Sequence, residues 1–254
     1  MSVLRETYYI YRRNLKVWWA QPVGVVSPIL TAALMFLLFA APLAGLTRLP
    51  GFPSDDYNAF LTAMIIVMTV VFSGADVAAA LLTDQLSGYF DKLLLAPINR
   101  FSILMGALLV AGTRALTQVL AIVGIALILG VSFKGGVLGI VAVIVGATVF
   151  GLAFSCVGII IAMKTKSIQV TQTTWILFMP VAFLTTAFMP RDFLTGWFKV
   201  AVTINPVDYI LVAIRAIIIE GWVWDTILTG LWVLTAMTVL LLATATWVYR
   251  RATA

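Results

Sequence analysis

The 254-residue sequence contains no histidine and only one cysteine, Cys156. Without histidine the chain has no imidazole for acid–base catalysis or for metal binding. A single cysteine excludes a disulfide within the chain and any CxxC metal site. The sequence also has no G-x-x-x-x-G-K-[ST] phosphate loop and no G-x-S-x-G serine motif. We therefore expect no catalytic residue, metal site or cofactor site in this chain.

Charged residues are scarce as well: they make up 10% of the sequence, whereas hydrophobic residues make up 63%. A soluble domain normally carries about 25% charged residues. The composition therefore predicts an all-α protein with several membrane-spanning helices. The net charge is +6, but the cations stand at the ends of apolar runs, as in the flanks of membrane spans. We expect the lipid bilayer as a partner, and no nucleic acid.

Residues 1–20 combine aromatic side chains such as Tyr11 and Trp18 with cations such as Arg5 and Arg13 in a helical period. Tryptophan and tyrosine favour the headgroup zone, and basic faces favour anionic lipid. The pattern predicts an amphipathic helix on the cytoplasmic surface of the membrane. The alternative is a charged flank of the first span. The stretch is too polar for a cleaved signal peptide.

Six apolar stretches are long enough to cross a hydrocarbon core of ~30 Å. The predicted spans are residues 23–46, 58–81, 102–131, 137–163, 168–189 and 226–249, within one membrane domain covering 1–254. Ten of the 16 cations then lie on the side of both termini, five lie on the other side, and Arg114 lies within a span. The positive-inside rule therefore predicts cytoplasmic termini.

The main polar interruption is the stretch 82–101, LTDQLSGYFDKLLLAPINRF, on the predicted cytoplasmic side. Thr83 or Asp84 is a suitable cap for a short helix over about residues 85–95. One face of that helix would be apolar at i, i+3, i+4, i+7 and i+8: Leu86, Tyr89, Phe90, Leu93 and Leu94. This face would either insert into a groove on a partner or rest on lipid, and the spacing leaves both open.

Residues 190–225 mix charges with apolar stretches that are each shorter than a spanning helix. They predict two short re-entrant helices on the external side, broken at Asn205–Pro206. Together with Pro190 and Arg215, these residues are candidates for an external gate. The segment would equally serve as a lid that closes the external side of the bundle, and the two roles are not exclusive.

Asp76 and Arg114 are ionisable residues within predicted spans. Consecutive antiparallel spans would bring them together, either as a pathway or gating pair or as a structural ion pair. Two separate side chains that reach toward the interface are a third arrangement; we favour a structural role. Glycines within the spans are predicted to allow close helix packing: Gly124, Gly130, Gly146, Gly151 and Gly158.

Two segments resemble the permease subunit of ABC-2 type exporters, the family of daunorubicin-resistance, nodulation-factor and polysaccharide export permeases. In the loop, the similarity is carried by Gly88, Asp91, Lys92, Leu93, Leu94, Ala96, Pro97 and Arg100. In the later segment, it is carried by Pro180, Phe183, Leu184, Phe188, Pro190, Phe193, Asn205, Pro206, Tyr209 and Arg215. Asp91 departs from the pattern, since the family often has glutamate there.

The resemblance implies that the loop contains a coupling helix that docks on a separate nucleotide-binding ATPase. The ATPase-coupling residues would be Asp84, Leu86, Gly88, Tyr89, Phe90, Asp91, Lys92, Leu93, Pro97 and Arg100. The resemblance further implies two ATPase subunits, which would hold ATP and Mg, and a second permease that is either an identical copy or a paralogue.

The expected function is therefore outward transport of a hydrophobic or amphipathic molecule, with drug, lipid and glycolipid all open. Aromatic residues of the fifth predicted span and its end are candidates for the substrate path: Trp175, Phe178, Phe183 and Phe188. One alternative is a proton-coupled secondary transporter with Asp76 as the proton carrier. Another is a membrane scaffold that recruits a cytoplasmic partner without transport.

Overall fold

The computed structural model describes residues 3–48, 50, 52–54, 56–86 and 99–253, and within these residues the chain is helical without strands. This confirms the predicted all-α fold class. The described helices are α1 (Val3–Trp19), α2 (Pro22–Leu43), α3 (Tyr57–Leu86), α4 (Arg100–Ile128), α5 (Gly136–Thr165), α6 (Ile168–Gln172), α7 (Thr174–Phe183), α8 (Gly196–Ile204), α9 (Pro206–Ile219) and α10 (Trp224–Thr253). Two 3₁₀ turns cover Ala44–Arg48 and Arg191–Phe193.

Four helices of the described residues are long and apolar enough to cross a membrane: α2, α4, α5 and α10. The pair α8–α9, bent by 82° at its break, would be a fifth if counted as one span. These helices confirm a membrane protein with several apolar helices. Helix α3 has 30 residues and begins with the apolar stretch Tyr57–Phe72. The complete six-span topology stays a prediction.

The stretch 168–189, predicted as one span, is not a single helix. Helix α6 ends at Gln172, α7 begins at Thr174, and α7 ends at Phe183. The hydroxyl of Thr173 donates to the carbonyls of Gln169 at 3.0 Å and Val170 at 3.1 Å. Threonines within the continuous helix α10 make the same bond, for example Thr235 and Thr238, so this back-bonding does not by itself explain the interruption. Residues 184–189 then leave the helix and hydrogen-bond to side chains from α9 and its cap.

Helices α3 and α5 cross at close distance through glycine. A Cβ built on Gly158 would lie 2.5 Å from the carbonyl oxygen of Gly74 on α3, and one on Gly151 would lie 2.6 Å from Cβ of Ala115 on α4 and 2.9 Å from Cγ1 of Val70 on α3. These two glycines therefore allow α5 to pack closely against its neighbours, as predicted for packing glycines. A Cβ on the other glycines predicted for this role would meet open space: Gly124, Gly130 and Gly146.

The bundle has two polar ends, which we name by their segments. The loop end contains α1, the end of α3 and the start of α4. The hairpin end contains residues 184–222 and the turn between α4 and α5. At the hairpin end, the backbone N–H groups of Lys134 and Gly135 donate to the carbonyls of Ile218 and Ile217, each at 3.0 Å. Most of the polar contacts between distant segments lie at these ends.

Candidate functional site

At the hairpin end, Asp208 joins α9 to the segment that follows α7. It lies in the first turn of α9 and has no exposed surface. Its Oδ1 accepts hydrogen bonds from the backbone N–H of Thr186 at 2.6 Å and from the Thr186 hydroxyl at 2.7 Å. Its Oδ2 accepts from Nη2 of Arg191 at 2.7 Å. The buried carboxylate is thus both hydrogen-bonded and paired, as a buried charge requires.

Arg215 joins the same segment to α3. The residue is 7% exposed, and its Nη2 donates to the carbonyls of Thr186 at 2.8 Å and Ala187 at 3.3 Å. Its guanidinium carbon lies 3.6 Å from the centroid of the Phe60 ring on α3. A guanidinium over an aromatic face gains a cation–π attraction. Arg215 therefore connects α9, the segment after α7 and α3.

Asn205 forms the corner between α8 and α9. Its Oδ1 accepts from the backbone N–H of Val207 at 3.0 Å and so caps α9. Its Nδ2 donates to the carbonyls of Val181 at 2.6 Å and Leu184 at 2.7 Å. Pro206 takes the first position of α9, where a helix has no use for a backbone N–H. One amide thus fixes the bend and satisfies carbonyls at the end of α7.

Of the predicted external-gate residues, Asn205 and Arg215 both donate to backbone carbonyls of residues 181–187, and Pro206 follows Asn205 directly; the gate role stays a prediction. Pro190 lies directly before the 3₁₀ turn, as its N-cap, and lines a cavity of about 520 Å³ together with Arg191 and Arg215. Sequence reasoning did not select Asp208 as a site residue. The available signal was an acidic residue close behind the Asn-Pro pair in an otherwise apolar run.

At the loop end, Glu6 of α1 is buried against the start of α4. Its Oε2 accepts from the backbone N–H of Asn99 at 2.9 Å and from the Ser102 hydroxyl at 3.0 Å. The Asn99 N–H holds the pKa of the Glu6 carboxyl below its usual value; desolvation opposes this effect and the Ser102 hydroxyl adds to it. The ionised carboxylate therefore ties α1 to the chain just after residues 87–98.

Arg13 of α1 makes the second tie, to Asp84 near the end of α3. Its two terminal nitrogens donate to both carboxylate oxygens, the Nη2–Oδ1 bond being 3.0 Å long. The side chains are 35% and 26% exposed. Two parallel bonds give the pair a defined geometry. Together, Glu6 and Arg13 fasten α1 to both flanks of residues 87–98.

Helix α1 runs beside α4 in the same direction. Ile10 of α1 packs against Gly106 of α4. A Cβ built on Gly106 would lie 2.6 Å from Cγ2 of Ile10, so glycine permits the contact. Five residues beyond Arg13, the Trp18 ring lies 5.4 Å from the guanidinium carbon of Arg114 on α4. Large apolar side chains on α1 stay exposed: Leu4, Tyr8, Tyr9, Val17 and Trp19. Such an exposed face fits contact with lipid.

Several predicted site residues lie outside the part of the chain that the structure describes. In the loop these are Gly88, Tyr89, Phe90, Asp91, Lys92, Leu93 and Pro97. For four others the backbone is described but the side chain is not: Asp76, Leu86, Arg100 and Trp175. The predicted pairing of Asp76 with Arg114 therefore stays a prediction.

The aromatic candidates for a substrate path fall into two places. Phe178 is 3% exposed and packs edge-on against Phe154, with ring centroids 5.2 Å apart, so it belongs to the core. Phe183 and Phe188 stack with centroids 5.9 Å apart, and Phe188 also meets Phe39 of α2 at 5.5 Å. Of these, Phe183 is exposed. The pair Phe183–Phe188 is thus the part of the predicted path that reaches the surface.

A known protein family matches most of this chain. The sequence model described as ABC-2 type transporter matches residues 5–219. The chain belongs to the ABC-2 type transporter family. The matched region runs from α1 to the end of α9, so both polar ends of the bundle lie within the ABC-2 region. Membership makes the chain the membrane subunit of an ABC transporter, and it confirms the resemblance found in the sequence.

Individual ABC-2 relatives are similar over most of their length. The daunorubicin resistance ABC transporter permease protein DrrB1 of Streptomyces coeruleorubidus is 25% identical over 198 residues, covering 76% of this chain and 68% of that protein. A doxorubicin resistance ABC transporter permease protein, DrrC of Mycobacterium tuberculosis (strain ATCC 25618 / H37Rv), is 24% identical over 216 residues, covering 85% and 78%. The transport permease ycf38 of Cyanophora paradoxa is 25% identical over 219 residues, covering 84% and 73%.

Proposed function

We propose that this chain is the permease of an exporter that moves a hydrophobic or amphipathic molecule outward across the inner membrane. ATP hydrolysis on a separate nucleotide-binding subunit, which holds ATP and Mg, supplies the energy. The observation that carries the proposal is the ABC-2 match over residues 5–219 in a sequence without a phosphate-binding loop. The membrane subunit of an ABC transporter that cannot bind nucleotide itself requires a partner that does.

The proposed topology has six spans: α2, α3, α4, α5, the α6–α7 pair and α10. The 30 residues of α3 extend about 45 Å, which is enough to cross the bilayer. Both termini and the loop end are then cytoplasmic, and the α8–α9 pair is an external re-entrant hairpin. The distribution of cations along the sequence supports this orientation.

The ties of α1 support a coupling role for the loop. The Arg13–Asp84 and Glu6–Asn99 contacts hold α1 against both flanks of residues 87–98. If the ATPase docks on that segment, a displacement of the docked segment moves α1, the end of α3 and the start of α4 together. ATP binding drives transport only if it favours one of these arrangements over the other. The assembly would contain two ATPase subunits and a second permease copy or paralogue.

On the proposed external side, the cluster of Asn205, Asp208 and Arg215 serves as the gate or its frame. It holds the segment that carries Phe188, so any movement of α9 is passed to the Phe183–Phe188 pair. The names of the relatives suggest drugs as substrates, and the aromatic lining suits such molecules. We therefore propose a drug-like or lipid-like amphiphile as the transported molecule.

The test uses inverted membrane vesicles that contain this chain and a nucleotide-binding ABC subunit that co-purifies with it. Daunorubicin and a fluorescent phospholipid serve as probes. We expect ATP-dependent accumulation of at least one probe, and its loss in the double variant Tyr89→Asp, Leu93→Asp while the permease remains in the membrane. Normal transport by that variant would refute the coupling helix.

A second arm separates the exporter from a secondary transporter. Vesicles receive a pH gradient without ATP, and the Asp76→Asn variant is compared with the wild type. We expect no accumulation from the gradient alone. Gradient-driven uptake that Asp76→Asn abolishes would replace the ATP-driven mechanism by the proton-coupled one. Stable co-purification with the ATPase without transport of any amphiphile would favour a scaffold instead.

A further inference from the structure

A cavity of about 870 Å³ lies at the loop end between α1, the start of α2, the end of α3 and α4. Its volume falls within the ~300–1000 Å³ typical of small-molecule sites. Val23 at the start of α2 lines the cavity and is 76% exposed, so the cavity opens on the lipid-facing side of α2. It lies at the opposite end of the bundle from the Phe183–Phe188 pair.

Gln118 lines the inner part of this cavity. It lies one helical turn further along α4 than Arg114, which is about 6 Å further from the loop end. The residue is 8% exposed, and its Oε1 has no hydrogen-bond partner among the described residues. A buried amide oxygen without a donor is costly, so native structures rarely keep one. A hydroxyl or N–H group of a bound molecule would supply the donor at this depth.

Polar groups line the cavity at its outer end as well. There Arg13 pairs with Asp84, and the Nη2–Oδ1 bond is 3.0 Å long. Neutral polar side chains also contribute: Asn14, Gln21, Ser27 and Thr83. Apolar side chains of α3 and α4 complete the wall: Ala80, Leu81, Ala107 and Val110. A molecule that fills the cavity therefore meets hydrogen-bonding groups at both of its ends, with apolar surface beside them.

This distribution of polar groups favours one class of amphiphile. A phospholipid has its polar atoms in the headgroup, and its deeper part is hydrocarbon, so it would leave Oε1 of Gln118 without a donor. A site built to hydrogen-bond a hydroxyl or N–H group rejects an analogue that lacks the group. The cavity thus fits a compact amphiphile that carries hydroxyl or N–H groups along its body.

Helix α1 connects the cavity to the proposed coupling loop. Side chains of α1 form one wall of the cavity. The Arg13–Asp84 and Glu6–Asn99 contacts tie the same helix to both flanks of residues 87–98. A displacement of that segment therefore moves a wall of the cavity, so a molecule held there is bound where the motion begins.

We infer that this cavity is where the exported molecule first binds, and that this molecule is a compact amphiphile with hydroxyl or N–H groups rather than a phospholipid. It enters from the bilayer beside Val23, and one of its donors bonds to Oε1 of Gln118. The inference rests on the proposed export function. Its binding test requires neither the ATPase nor transport, so the two can fail separately.

The first experiment measures binding to the full-length chain in phosphatidylcholine nanodiscs, which present phospholipid in large excess. Daunorubicin, a compact amphiphile with several hydroxyl groups, is the probe, and its fluorescence anisotropy is recorded. Empty nanodiscs give the correction for partitioning into lipid. We expect saturable binding beyond that partitioning. Binding that does not exceed the empty-disc signal would refute the site.

The Gln118→Leu variant removes the acceptor and keeps the volume. We expect its Kd for daunorubicin to rise about tenfold, the effect of losing one hydrogen bond to a buried group. Its thermal midpoint without the probe should be equal or higher, because the unpartnered oxygen is gone. Gln169→Leu, the same change at an exposed position on α6, is the matched control and should keep the wild-type Kd. Equal Kd values in Gln118→Leu and the wild type would show that water serves this oxygen, against the inference.

Cysteine protection locates the bound probe. Cys156 has no exposed surface, so a cysteine introduced at an exposed position is the thiol that a maleimide reaches. Daunorubicin should slow the labelling of Ala80→Cys, which lines the cavity, and leave that of Thr165→Cys at the end of α5 unchanged. Equal rates with and without the probe at both positions would contradict the location.

The transport assay in inverted vesicles then separates the site from the function. Gln118→Leu should lower daunorubicin accumulation at low probe concentration, and Ala80→Phe, which places a ring into the cavity, should abolish it. Wild-type accumulation in both variants would refute the site and leave the export function standing. Faster movement of the fluorescent phospholipid than of daunorubicin would overturn the ligand class. Binding at the cavity without any ATP-dependent transport by the wild type would overturn the export function, and the uptake role with it.

Discussion

The carboxylate of Asp208 holds both the backbone N–H and the hydroxyl of Thr186, at 2.6 and 2.7 Å, although the two residues are 22 positions apart. This double contact joins the segment after the α6–α7 pair to α9. Because Asp208 also accepts from Arg191, three separate donors converge on one buried side chain. We therefore expect the Asp208 carboxylate to stabilise the packing of the proposed external gate.

The first prediction concerns Asp208→Asn. The amide keeps one acceptor oxygen but loses the charge, and its NH₂ group faces the Arg191 guanidinium. We expect a loss of about 2–4 kcal/mol in the free energy of unfolding, the range for breaking a buried charged network. Unfolding in detergent measures it. Asp192→Asn, at an exposed neighbour, should change stability by less than about 0.5 kcal/mol; equal losses in both variants would contradict this role.

The second prediction concerns Asn205→Asp. Aspartate keeps the cap on α9 but removes both donors to the carbonyls of Val181 and Leu184, and it sets a negative charge against them. We expect a loss of about 2–4 kcal/mol in unfolding free energy. Asn99→Ser, at the cap of α4 where the side chain only accepts, from Phe101, keeps a capping oxygen and adds no charge beside Glu6, so it should cost less than about 1 kcal/mol.

An Asn205→Ser variant separates lost donors from added charge. Serine retains a capping oxygen, loses both donations and adds no charge. We expect its stability to lie between those of the wild type and Asn205→Asp. Wild-type stability in Asn205→Ser would show that the bonds to α7 contribute nothing and that charge alone explains the aspartate variant.

The third prediction concerns the helix crossing at Gly158. Alanine there would place its Cβ 2.5 Å from the backbone oxygen of Gly74, and backbone moves less readily than a side chain. We expect Gly158→Ala to cost about 1–3 kcal/mol through overpacking. Gly146→Ala, on the same helix with open space around the new methyl, should be neutral or slightly stabilising, because alanine favours helix. Thermal melts of the two variants provide the comparison.

The fourth prediction concerns pH and Glu6. The folded protein lowers the pKa of this carboxyl from 4.5, mainly through the Asn99 N–H. A depressed pKa contributes stability that is fully present above the unfolded value and is lost as the pH falls through the folded value. The midpoint difference between the wild type and Glu6→Gln should therefore be largest at neutral pH and shrink as the pH falls below 4.5. A difference that grows in acid would refute the assignment.

Local signals in the sequence predicted some features well. The corner at Asn205–Pro206 follows from the side-chain cap and from a ring nitrogen that cannot donate, both of which act within two residues. The apolar helices followed from composition and length. In the same way, Gly151 and Gly158 were recognisable as packing glycines, although the sequence could not separate them from Gly124 and Gly146, since that depends on which helix lies opposite.

Other features depend on distant partners and were not predictable. Glu6 binds the backbone of Asn99, 93 residues away. The sequence shows only a single acidic residue in a basic helix, which does not indicate that contact. Asp208 meets Thr186 only because the α6–α7 pair ends early. The sequence did not predict that early end, because residues 168–189 are apolar over enough of their length to suggest one span.

The glycine crossing of α3 and α5 has a consequence for movement. Hydrogen bonds and ion pairs have preferred directions and resist rotation, and they concentrate at the two ends of the bundle. At Gly74 and Gly158 the two helices touch through backbone atoms, a contact that has no such preferred direction. We therefore expect α3 to rotate relative to α5 about this crossing, while the hydrogen bonds and ion pairs at the two ends of the bundle stay intact.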